Sequence, residues 1–245
     1  MLIASPDCTC ISISCKICVG VLSGPDKVRE ILSREIILLS LFRIFILIVV
    51  FNFNSVSHAN DKTASKILLF GDSIIAGYGL SQEDSLPARL EELLKKDGYN
   101  VHIINGGVSG DTTGSGLSRL KWTLEKHNPN IVLLALGGND VLRGFSPDVT
   151  KRNIETMLKI LKEKDVQVVF SEVQAPLNLG INYKRKFDSI YADLSDKYDV
   201  PTYPFLLDKT FGDKALMQSD QIHPNAAGVN VIVKDLSEYL IDYLK

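Results

Sequence analysis

Apolar residues in this chain recur with two alternating periods. Lys66-Ile67-Leu68-Leu69-Phe70 runs without polar interruption into Gly71-Asp72-Ser73. Four large apolar residues in succession, bounded by glycine, predict a strand covered on both faces, as in a parallel sheet. Val101-His102-Ile103-Ile104, residues 131–136, residues 166–170 and a short stretch at 202–206 read the same way. Between them the spacing becomes helical. Leu86, Leu90, Leu93 and Leu94 share one face, with Pro87 in the first turn and Gly98 past the end. A second helix, capped by Asp111 or a neighbouring threonine, runs to about His127. A third covers 147–164. After a long loop through Asn182, a fourth puts Phe187, Ile190, Tyr191 and Leu194 on one side. Pro224 opens the last, whose inward residues are Val229, Ile232, Val233, Leu236, Leu240 and Leu244.

Five strands alternating with helices predict an α/β fold of three α/β/α layers around a five-stranded parallel sheet, because right-handed crossovers place helices on both faces. The expected strand order is flavodoxin-like, 2-1-3-4-5. Strand one is then central, and the loops after strands one, two and three meet at the switch point where such sheets bind ligands. Ser73 stands at that rim. The glycine-broken stretch 74–80 beside it is expected to be a mobile loop, and 105–113 a glycine-rich loop.

With 245 residues, 45% of them hydrophobic, the chain can form one substantial core. Its 27 basic and 29 acidic side chains nearly cancel and are interspersed, so no basic surface for nucleic acid is expected. All four cysteines, Cys8, Cys10, Cys15 and Cys18, precede the body, which therefore has no disulfide and no thiol nucleophile. Their spacing, without a nearby histidine, fits zinc-ligand patterns poorly, and neither a metal nor a cofactor is expected. Residues 36–51 are apolar except for Ser40 and Arg43, follow Lys27, Arg29 and Arg34, and lead to Ser57-His58-Ala59. That arrangement resembles a signal peptide cleaved after Ala59; the alternative is an uncleaved anchor, against which Arg43 within the apolar run argues. Residues 1–59 are read as an export segment and 60–245 as the mature domain, periplasmic or secreted, without a stable membrane span. A start codon assigned too far upstream would account for the residues before Val28.

A serine becomes nucleophilic only when a histidine takes its proton and a third group orients that histidine. The chain has four histidines. His58 lies in the export segment, His102 within a strand, and His127 near a helix end where its charge suits the dipole. His223 follows Asp220 by three residues, close enough for the carboxylate to reach one ring nitrogen, although Asp220 could equally cap a turn. Gly110 and Asn139, with the Ser73 amide, are candidate donors to an oxyanion. Ser109 is the rival nucleophile.

Gly71-Asp72-Ser73, Gly110 within Ser109-Gly110-Asp111-Thr112, Gly137-Gly138-Asn139-Asp140 and Asp220-x-x-His223-Pro224 resemble, in order, the four blocks of the SGNH (GDSL) hydrolases. The likeness is to the bacterial thioesterase I, lysophospholipase and arylesterase branch, and includes Leu142-Arg143-Gly144-Phe145. It implies Ser73 as nucleophile, His223 as base and Asp220 as orienting acid, with Ser73, Gly110 and Asn139 forming the oxyanion hole. The loop 174–180 follows the branch only in part, which leaves acyl-chain preference open. No Gly-x-Ser-x-Gly elbow occurs, so the ordinary α/β-hydrolase reading fails. Ile74, Ile75, Leu80, Leu177, Leu179 and Ile181 are expected to flank the substrate. The leading reading is an exported, monomeric serine esterase acting on small acyl esters, thioesters or lysophospholipids. A carbohydrate or peptidoglycan O-deacetylase would use the same triad, and a flavodoxin-like binding module would use the crevice without covalent chemistry.

Overall fold

The computed structural model describes residues 64–244 and, ahead of them, position 42 alone. The export segment proposed for 1–59 lies outside the described residues. Strands β1 (Ser65–Gly71), β2 (Val101–Gly107), β3 (Ile131–Ala135), β4 (Gln167–Ser171) and β5 (Thr202–Tyr203) form one parallel sheet in the order β2-β1-β3-β4-β5. This is the expected topology. The helices are α1 (Ser73–Ala76), α2 (Leu86–Lys96), α3 (Thr113–His127), α4 (Gly138–Leu142), α5 (Pro147–Glu163), α6 (Ile181–Tyr198) and α7 (Ala226–Leu240).

Alternation along β1 separates two cores. Ile67 and Leu69 face Ile75 of α1, Leu90 and Leu94 of α2, and Val229, Ile232 and Leu236 of α7. Leu68 and Phe70 face Leu120 of α3, Ile154 and Met157 of α5, and Phe187 and Tyr191 of α6. Residues 67–70 are 0% exposed, so the strand carries no polar face and its unbroken apolar run is explained.

Several boundaries differ from the sequence expectation. Of the stretch 74–80 expected as a loop, residues 74–76 belong to the helical turn α1, and only 77–80 are turn and bend. Asp72 caps α1 by accepting from the Ile74 amide at 3.1 Å, and Gly77 closes it in the left-handed conformation. Asn105-Gly106-Gly107 continues β2, because Gly106 and Gly107 stand beside Phe70 and Gly71 in the ladder. The short α4 arises where only a strand end was expected. Thr112, not Asp111, caps α3, in a reciprocal capping box with Ser115. Asn225 caps α7, while Pro224 lies just ahead of it, bridged to Met217. β5 spans two residues, not five.

The turn α1 lies directly on β2. A Cβ added at Gly107 would fall 2.2 Å from the Ala76 amide nitrogen, so only glycine lets the two backbones approach this closely. That contact sets the height of Ser73 above the sheet.

Asp72 is the electrostatic cost of this junction. It is 8% exposed, and burial pushes its carboxyl up to about 6. A folded-state value above the unfolded one means that folding favours the neutral acid. The contribution is complete below about pH 4 and is lost as the pH rises through about 6, a difference of at most roughly 3 kcal/mol. Asp72→Asn keeps an oxygen for the Ile74 amide and cannot ionise. Its melting temperature is therefore expected to exceed the parent's at pH 8, with the gap closing toward pH 4; a gap independent of pH would show that Asp72 is not buried at this cost.

Candidate active site

The C-terminal ends of β1, β2 and β3 deliver three loops to one place, and a fourth segment, 204–225, arrives from beyond β5. Ser73, the first residue of α1, is half-buried. Its Oγ lies 2.8 Å from His223 Nε2. His223 Nδ1 lies 2.7 Å from Asp220 Oδ2, while Asp220 Oδ1 accepts from the Ile222 and His223 amides, both at 3.0 Å. Both carboxylate oxygens are thus engaged within one turn, which Gln221 closes with a left-handed φ of 58°. The bond from His223, reinforced by the two amides, holds the Asp220 carboxyl down to about 2, so it stays ionised across the working range.

The structure brings Ser73, His223 and Asp220 together and leaves the other candidates apart. Ser109 is exposed and, among the described residues, bonds to no histidine. His102 lies on the exposed face of β2, 3.5 Å from Glu91 Oε1. His127 ends α3, where burial lowers its affinity for a proton.

The residues expected as oxyanion donors have the following surroundings. As the first helical residue, Ser73 has an amide that no intrahelical carbonyl can reach. Gly110 has a φ of 86°, and its carbonyl accepts from Arg143 Nη2 at 3.0 Å. Asn139, on α4, donates through Nδ2 to the Asp111 carbonyl at 2.9 Å and makes a long 3.4 Å contact with Asp72 Oδ2. One amide hydrogen is committed to holding the side chain. The other is weakly held, so a stronger acceptor can take it.

A residue that the sequence reading passed over ties these loops together. Arg119 of α3 donates through Nε to Asp111 Oδ2 at 2.6 Å and through Nη2 to the Gly71 carbonyl at 3.0 Å. Its guanidinium carbon sits 4.0 Å from the centre of the Phe70 ring. One rigid, planar cation therefore fixes the end of β1 to the loop carrying Gly110. The available signal was its position, three residues after Gly116 and one before Leu120, on the helix face otherwise turned to the core. Asp140, next to Asn139 in sequence, is fully buried and accepts from the Thr113 amide at 2.8 Å, Thr113 Oγ1 at 2.5 Å and Thr150 Oγ1 at 3.1 Å. It joins α4 to α3 and α5.

The apolar flank is only partly where it was expected. Ile75 is 0% exposed within the core and cannot touch a substrate; in a helical turn it points down where Ile74 does not. Ile74 and Leu80 are partly buried, whereas Leu177, Leu179 and Ile181 are exposed. Two cavities, of about 240 Å³ against Tyr203, Phe205 and Asp235 and about 80 Å³ against Leu124 and Pro129, are not lined by Ser73. Among the described residues no cluster of three or more histidine, cysteine or acidic side chains is suited to a metal ion, and no helix is long and apolar enough to cross a membrane.

Residues 69–231 match the model of the GDSL-like lipase/acylhydrolase family. An arylesterase of Vibrio mimicus is 35% identical over 83% of this chain and 100% of its own length. A protein of Escherichia coli (strain K12) described as thioesterase 1/protease 1/lysophospholipase L1 is 34% identical over 74% of this chain and 82% of its own. Among solved structures, the psychrotrophic esterase EstA from a Pseudoalteromonas species, inhibited by monoethylphosphonate, aligns with a TM-score of 0.71 and 30% identity, covering 74% of this chain and 98% of that one. Sequence blocks, strand order and relatives agree: the chain belongs to the GDSL-like lipase/acylhydrolase family, the SGNH hydrolases, and is an enzyme hydrolysing carboxylic ester or thioester bonds.

Proposed function

We propose that Ser73 is the nucleophile, His223 its general base and Asp220 the acid that orients the imidazole. The observation that carries this reading is the continuous relay from Asp220 Oδ2 through the imidazole to Ser73 Oγ, with links of 2.7 and 2.8 Å. Ser73 Oγ attacks the acyl carbon as His223 Nε2 takes its proton. The amides of Ser73 and Gly110 and the side chain of Asn139 receive the oxyanion. Imidazolium then protonates the leaving alcohol or thiol as the tetrahedral intermediate collapses to an acyl-serine. Water, deprotonated by the same imidazole, releases the carboxylic acid and restores the serine. The ionised Asp220 stabilises the imidazolium at each stage.

In line with its relatives, an esterase of the arylesterase, thioesterase or lysophospholipase type is the reading we adopt. The exposed apolar residues Leu177, Leu179 and Ile181 support it, since an acyl chain laid against them gains about 0.8 kcal/mol per buried methylene. Ile74 and Leu80 complete the proposed flank. We further propose that residues 60–245 form the mature, monomeric domain, exported to the periplasm or beyond after cleavage at Ala59.

Ser73→Ala is expected to abolish turnover and covalent labelling by a fluorophosphonate, and His223→Ala to leave only a small residual turnover, both proteins remaining folded. Asn139→Ala should lower kcat by roughly 10²–10³ with KM nearly unchanged, because the amide binds developing charge. Parental activity in His223→Ala would reject the triad. For the acyl flank, kcat/KM on p-nitrophenyl esters from acetate to palmitate is expected to climb with chain length and then level, with the climb reduced in Leu177→Asn. A sharp peak at acetate, unaltered in that variant, would favour an O-deacetylase. N-terminal sequencing of protein from the native host should begin at or near Asn60, and a mature product retaining Cys8 would remove the export proposal.

A further inference from the structure

Ser73 and His223 lie 150 residues apart, and their parts of the fold are secured unequally. Ser73 follows a central strand. His223 rides on residues 204–225, where the only ladder pairing among the described residues is the bridge between Met217 and Pro224. That segment is braced internally: Gln218 N donates to the His223 carbonyl at 2.8 Å, and Asn225 N to the Leu216 carbonyl at 2.9 Å. Internal bracing shapes the loop but does not set its distance from the serine.

Two hydrogen bonds among the described residues cross from this segment to residues 72–80. One is the Ser73–His223 bond itself. The other is Gln218 Nε2 donating to the Tyr78 carbonyl at 2.7 Å. The second hydrogen on the same nitrogen goes to the Pro224 carbonyl at 3.0 Å, next to the histidine. One primary amide therefore clasps the peptide after α1 to the peptide after His223, and both of its donors are used. The fit is close, since a Cβ added at Gly79 would fall 2.2 Å from Gln218 Oε1. The same clasp holds the Tyr78 ring over the imidazole, with centroids 4.6 Å apart and planes tilted by 39°.

We propose that Gln218 is a positioning residue for the reaction: its side-chain amide clasps the histidine loop to the nucleophile turn and so holds His223 Nε2 within hydrogen-bond reach of Ser73, with Tyr78 limiting the tilt of the ring. The proposal rests on the triad reading above. Gln218 acts through His223 and touches no reacting atom. A glutamate here would set a carboxylate against two carbonyl oxygens, and an asparagine would fall one methylene short, so the function belongs to the longer amide.

The test is a double-mutant cycle. Gln218→Met fills the same space without a donor and is expected to lower kcat about 10–100-fold with KM within twofold, the scale of a small misplacement of reacting groups. In a His223→Ala background, read as residual single-turnover hydrolysis of an activated p-nitrophenyl ester, the same change is expected to cost nothing further, because the group it positions is gone. Gln218→Asn provides the same cycle should the methionine variant fold poorly. Parental kcat in the single variants, a loss confined to KM, or an equal fold-loss in both backgrounds would overturn the clasp while leaving the triad intact. Failure of the triad itself would appear separately, as full activity in His223→Ala.

Discussion

The burial of β1 is the constraint on which this enzyme depends. The strand pairs in parallel with β2 on one side and β3 on the other, and helices cover both its faces. Its apolar side chains can leave the sheet only at large cost, and a one-residue slip would exchange the two cores. The residues that follow inherit that rigidity. Asp72 and Ser73 stand where the ladder stops, at a fixed height over β2 set by the contact of Gly107 with Ala76.

Polar groups around the site divide into those that hold and those that act. Arg119, Asp111 and the Gly71 carbonyl form a partly buried junction between the end of β1 and the loop carrying Gly110. Asp140, with three donors, fixes α4 from beneath and with it the backbone bearing Asn139. Preorganisation of this kind lets donors meet a developing charge without reorganising at the moment of reaction. Asp72 has a partner for each oxygen, yet burial still drives this acid toward its neutral form beside the serine. Stability is given up there to keep the turn that begins at Ser73 capped and close to the sheet.

The histidine side of the site is built differently. Residues 204–225 have almost no ladder bonds and are organised by short-range turns, by Asn225 donating to the Ala215 and Met217 carbonyls, and by Gln218 reaching across. A rigidly placed Ser73 thus meets His223 on a braced loop, and among the described residues the hydrogen bonds between the two segments are two.

The sequence alone determined the strands and most helices, because an unbroken apolar run and a 3.6-residue spacing are local consequences of burial on two faces or one. Right-handed crossovers told that helices cover both faces, and the flavodoxin-like order 2-1-3-4-5 expected on that basis is the one the sheet adopts. The sequence also marked Ser73, Asp220 and His223, because a nucleophile without a nearby base is inert and few histidines were available. Tertiary structure decided what no local pattern carries. Ile75 belongs to the core because the chain turns helical after Ser73, which a glycine-rich stretch does not announce. Gly106 and Gly107 are strand because Phe70 and Gly71 pair with them. Arg119 and Gln218 gain their partners from residues 48 and 140 positions away, Gly71 and Tyr78. A side chain's reach is written in the sequence, but the carbonyl it finds there is placed by the packing of the whole sheet.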